Sequence, residues 1–154
     1  MEKLAKIIYP VVEDAIEAKL ENCTLFMLTL CAELLRRADV PVKIVEGFME
    51  ARTGDDELVA TVRHYWLDAD GTPVDVGGFI ARHVGDVDAD NMKTSLAADV
   101  PAGRKVLLAP DDARTRVLFG VAQVDLGRAM REAAKTRPEF AALAQRWCPE
   151  PKTD

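Results

Sequence analysis

Residues 22–51, "NCTLFMLTLCAELLRRADVPVKIVEGFMEA", change character once, around Pro41, and that change decides the fold class. Ahead of it the chain is apolar on nearly every side until Arg36, the pattern of a helix buried all round. Asn22 is a good N-cap for that helix. Pro41 disfavours helical geometry at Val40, so the helix should stop near Ala38 and the chain should extend. "VKIVEGFMEA" then has the composition of a strand. A buried helix therefore runs through a proline into a sheet.

Working outward, Leu4, Ile7, Ile8, Val11, Val12, Ala15, Ile16 and Leu20 recur at helical spacing. Pro10 falls inside that stripe and predicts a kink, or a break into a short leading helix and a second helix. On the other side, "RTGDD" reads as a turn and "ELVATVRHYWLDA" as a second strand. Asp70 and Gly71 carry a hairpin signal, and "PVDV" begins a third strand. The expected fold is α+β: N-terminal helices, with a central buried helix packed on an antiparallel sheet. Beyond Gly77 and Gly78, read as a bend, "DVDADN" is polar loop, "RKVLLA" a strand and "DDARTRVLF" ambiguous. Residues 124–135 and 138–147 read as helices, with Pro138 suited to a first turn. Residues 1–147 form one domain in this reading, and 148–154 a flexible tail.

Composition narrows the function. With 154 residues the chain can bury one sizeable core. Its net charge of −6 offers no basic face to a phosphate backbone, which argues against nucleic acid. The longest apolar runs are short and interrupted by charge, and "EKLAKIIYP" lacks a signal-peptide core, so the expectation is a cytoplasmic protein without membrane contact. The 3 cysteines, Cys23, Cys31 and Cys148, are odd in number and widely spaced, which fits reduced thiols. A thiol is available for chemistry.

Cys23 follows the expected cap, where free N–H groups and the positive end of the helix dipole favour thiolate, the nucleophilic form. Cys31 lies two turns inward and reads as a small core residue. On the second strand, alternation puts Val62, His64 and Trp66 on one face and Arg63, Tyr65 and Leu67 on the other. If Asp70 and Gly71 are the two central hairpin residues, Trp66 opposes Asp75 and His64 opposes Gly77. Asp75 is then a same-face diagonal neighbour of His64, about 7 Å away. A carboxylate on one imidazole nitrogen would leave the other to take a proton from a thiol. An odd-numbered loop would move Asp75 to the wrong face. The competing reading is a buried thiol, a satisfied strand histidine and a turn aspartate.

Here the sequence resembles the transglutaminase-like superfamily. "NCTLFMLTLCAELLRRADVPVKIVEGFMEA" is similar to its core, a cysteine opening a helix with a leucine- and arginine-rich end, followed by a strand carrying a glycine and an aromatic. "RHYWLDADGTPVDV" is similar to its histidine, spacer, tryptophan strand followed by an aspartate-bearing strand. The likeness covers about residues 20–78. It implies a papain-like fold with Cys23 as nucleophile, His64 as general base and then acid, and Asp75 as the orienting residue. Asn22, Tyr65 and Trp66 would line the substrate groove. The chain departs from the pattern at Tyr65, at Val76 and Gly77 after the aspartate, and at Glu21 and Asn22 before the cysteine. For an oxyanion hole it offers the backbone N–H of Cys23.

Other motifs are weaker. Asp86, Asp88 and Asp90 open like a calcium loop, but Asn91 and Ala97 stand where glycine and glutamate belong. His83 has no cysteine or histidine at ligand spacing. Trp147 reads as an anchor for the last helix, and Arg36 and Arg37 as a charged helix end. The expected function is cofactor-free acyl transfer, hydrolysing an amide in a peptide or protein substrate. The alternative is an inactive domain of the same fold that binds peptides.

Overall fold

The computed structural model describes residues 2–20, 23–83, 92–97, 106–107 and 137–149. The chain opens with one continuous helix, α1 (Glu2–Glu17), and Pro10 lies inside it without dividing it as the sequence suggested. A proline in a helix interior costs about 3 kcal/mol. Burial of Ile8, Val11, Val12 and Ala15 offsets it, because each large aliphatic side chain contributes roughly 1.5–3 kcal/mol. Pro10 itself is on the exposed face.

The second helix, α2 (Thr24–Arg37), is the buried one. Phe26, Met27, Leu28, Leu30, Cys31, Ala32 and Leu35 are fully enclosed. Its N-cap position is Cys23, one residue later than the sequence placed it; Asn22 lies outside the described residues. Its C-terminal cap is Ala38, as expected. Asp39 then turns left-handed at φ 58°. Val40 N–H donates to Leu35 O at 2.9 Å and Asp39 N–H to Arg36 O at 3.0 Å, which satisfies the last carbonyls before Pro41 extends the chain.

Four strands of the sheet lie in the order β3-β2-β1-β4, each neighbouring pair antiparallel. Its strands are β1 (Val42–Thr53), β2 (Leu58–Ala69), β3 (Thr72–Val74) and β4 (Met92–Ala97). A short β5 (Val106–Leu107) adds a parallel pair beside Thr61 and Val62. The β2–β3 hairpin turns on Asp70 and Gly71, both at positive φ (51° and 85°), which matches the right-handed twist of the strands. Leu67 pairs with Val74 and Ala69 with Thr72, the register of a two-residue loop.

The third strand is shorter than expected. It ends at Val74, and the supposed bend is a helix, α3 (Val76–His83). Asp75 starts that helix: its side chain accepts from Gly78 N–H at 2.9 Å and its carbonyl from Phe79 N–H at 3.2 Å. Two glycines weaken the helix, but Val76 and Ile80 are buried and Phe79 stacks on Tyr9 with centroids 5.6 Å apart. The segment that opens like a calcium loop, read as polar loop, ends in β4; its aspartates lie outside the described residues, as does the predicted helix 124–135.

Ile44, Tyr65, Leu67 and Ala69 of the sheet join α1 and α2 in one core. The last helix, α4 (Pro138–Trp147), closes it: Phe140 stacks on Phe26 with centroids 4.4 Å apart. Asp14 of α1 holds α4 by accepting from Trp147 Nε1 at 2.7 Å and from Arg146 Nη1 at 3.2 Å. Where a tail was expected, Cys148 is buried and Pro149 O accepts from Arg37 Nη1 at 3.2 Å.

Candidate active site

One edge of β2 is used twice: β5 pairs it at Thr61 and Val62, and β3 from Leu67 to Ala69. His64 lies in the interval between them. Because the chain leaves β3 at Asp75 and turns at once into α3, the first turn of α3 meets this interval. Asp75 Oδ1 lies 2.7 Å from His64 Nε2. A carboxylate only accepts, so Nε2 carries the proton, and in the neutral ring Nδ1 is left as the acceptor. The same Oδ1 takes the Gly78 N–H. The pair is shielded but not sealed, with side chains 11% and 25% exposed.

The N-terminus of α2 converges on the same place. A Cβ built on Gly77 would stand 2.8 Å from Thr24 Cγ2 and 3.5 Å from His64 Cε1, so the residue directly after Cys23 and the imidazole flank one point of α3. Cys23 is 5% exposed, and its Sγ faces Leu20 O at 3.8 Å. As N-cap it sits at the positive end of the α2 dipole. The other thiols are suppressed: burial pushes Cys31 up to about 12. Burial also raises Cys148; nearby Arg37 opposes this and Glu33 adds to it.

The candidate groove residues separate. Trp66 lies over Gly47, the cross-strand partner of His64; a Cβ there would be 2.3 Å from Trp66 Cη2 and 2.7 Å from Ala97 O. Trp66 thus borders the histidine. Tyr65 points the other way and is 2% exposed in the core. Asn22 and the His83 side chain lie outside the described residues.

Thr24 and Gly78 were not foreseen as neighbours of the site, and Gly77, expected opposite His64 on a strand, reaches it from α3 instead. The signal for the glycines was present in Asp75, a good N-cap, but the residues after it have poor helix propensity. Also unforeseen is a cavity of about 230 Å³ between α1 and the β3–α3 junction, lined by Ile8, Tyr9, Val12, Val74, Asp75 and Phe79 among others. Its walls are mostly apolar, and Asp75 is common to cavity and dyad.

Among the described residues no group of His, Cys, Asp and Glu is placed to hold a metal ion, and no helix is long and apolar enough to cross a membrane. No protein-family model, curated protein or solved structure matches the chain.

Proposed function

We propose that the chain is a cysteine-dependent acyl-transfer enzyme of the transglutaminase-like type, with a papain-like core, working on an amide of a peptide or protein. The observation that carries this reading is the 2.7 Å bond from His64 Nε2 to Asp75, made where α3 meets the first turn of α2. That bond commits Nε2 to the carboxylate and leaves Nδ1 for the thiol.

In the proposed reaction Cys23 turns its Sγ away from Leu20 O and gives its proton to His64 Nδ1. The thiolate adds to the substrate carbonyl carbon, and the charge that develops on oxygen faces the N–H groups at the start of α2. The C–N bond breaks as His64 returns its proton to the leaving amine. Water, deprotonated by His64, then adds to the thioester; the C–S bond breaks, the acid leaves, and Cys23 regains a proton. Asp75 keeps the ring in one orientation throughout. No metal or organic cofactor enters these steps. Three cysteines, odd in number and widely spaced, fit a reducing, cytoplasmic setting.

A second reading draws on the burial of Cys23 and the contact of its thiol with Leu20 O. There the thiol is structural, and the His64 and Trp66 surface binds a peptide without a thioester. Pulse alkylation of the folded protein with iodoacetamide at mildly acidic pH separates the two. The enzyme reading expects Cys23 to label first, Cys31 and Cys148 only on unfolding, and His64→Ala to slow Cys23. Equal slow labelling of all three thiols, unchanged by His64→Ala, ends the enzyme reading.

A further inference from the structure

The two glycines that open α3 are not there for backbone freedom, since neither is among the positive-φ residues. Each costs a helix about 1 kcal/mol relative to alanine, so their use needs another reason. At Gly78 the reason is space. A Cβ there would lie 2.4 Å from Asp75 Oδ2 and 2.8 Å from Asp75 Cγ, while the Gly78 N–H itself donates to Oδ1 at 2.9 Å. The carboxylate occupies the volume a side chain would fill. Gly77 likewise leaves room for Thr24 and the His64 ring.

We propose that Gly78 is a positioning residue of the site: its vacant side-chain volume seats the Asp75 carboxylate against His64 Nε2, and Gly77 lets the first turn of α3 close on Thr24. The inference rests on the reading of His64 and Asp75 as the base pair of the acyl-transfer reaction. A methyl group at Gly78 collides with the tip of a short side chain, which can rotate away. The consequence is therefore a displaced carboxylate and an imidazole that has lost its acceptor.

The test uses the proton NMR signal of His64 Nε2–H, identified by its loss in His64→Ala, together with the Cys23 alkylation rate. A hydrogen-bonded ring proton exchanges slowly enough to be seen. Gly78→Ala is expected to abolish or shift that signal as far as Asp75→Ala does, and to slow alkylation equally. The double variant should be no worse than Asp75→Ala, because both changes act through one group. Gly54→Ala, where a Cβ meets nothing within 4 Å, is expected to leave both readouts unchanged. A folded Gly78→Ala protein with the wild-type signal overturns the proposal. If Gly78→Ala fails to fold, adding Asp75→Ser, which keeps a capping oxygen but removes the colliding carboxylate, should restore folding; no recovery also overturns it. An unreactive Cys23 in the wild type would sink the enzyme reading, while the NMR arm still reports the seat.

Discussion

Replacing Asp75 by alanine and by serine divides its two bonds. Alanine removes both the cap on Gly78 N–H and the acceptor for His64 Nε2. Losing an N-cap costs about 0.5–2 kcal/mol. Leaving a buried donor without a partner costs about 1–3 kcal/mol, but Asp75 is 25% exposed at its side chain, so water enters and the low end applies. The expected loss for Asp75→Ala is about 1.5–3 kcal/mol. At roughly 2–4 °C per kcal/mol for a chain of this size, Tm should fall by about 3–12 °C. Serine is itself a good cap, so Asp75→Ser should lose only the histidine bond, about 1 kcal/mol. Urea titration with an unchanged slope, alongside thermal melts followed by circular dichroism, gives both values. Coincident melts for the two variants would remove the cap from the account. A loss below about 0.5 kcal/mol in Asp75→Ala would remove the bond to His64 as well.

Three further substitutions test the frame around the site. Gly47→Ala should destabilise by about 1–3 kcal/mol through collision with Trp66 and the Ala97 carbonyl, although alanine normally improves a strand; a more stable variant in urea contradicts the packing. Thr61 is 2% exposed, and its hydroxyl has no hydrogen-bond partner among the described residues. Thr61→Val should therefore be neutral or stabilising by up to about 1 kcal/mol, and a loss of stability in urea counts against that assignment. Asp14→Ala should cost about 1–2 kcal/mol and shift Trp147 emission to the red, read in a Trp66→Phe background; unchanged emission would mean that Asp14 does not hold α4.

The hairpin was the most legible part of the sequence, because only a narrow set of residues tolerates two successive left-handed positions. Asp70 and Gly71 gave the loop length, and the loop length gave the observed register from Leu67 to Ala69. That register ends at Val74, and the turn into α3 directly after it brings Asp75 beside His64. The buried helix was legible for a similar reason: apolar residues on nearly every side up to Arg36 left little solvent face, and Pro41 marked its end. What the sequence obscured was set by tertiary contact. Pro10 argued for a break that the buried stripe of α1 overrides. Gly77 and Gly78 argued against a helix that exists because Asp75 caps it and α1 and α2 pack on it. Alternation placed His64 and Trp66 on one face, and Trp66 does border the partner of His64, but alternation alone said nothing of Thr24. The burial of Tyr65 was likewise out of reach, since it depends on which face the helices cover.

The central claim, that Cys23 carries an acyl group under the control of His64, is tested most directly by incubating the folded protein with p-nitrophenyl acetate. The adduct is then followed by intact mass and peptide mapping. An acetyl thioester is expected to form on Cys23 and then to be shed to water. His64→Ala should slow formation by about 10²–10⁴-fold, the usual contribution of a general base. An adduct that appears on Cys23 at the same rate without His64, or that reaches no cysteine until the protein is unfolded, would contradict it.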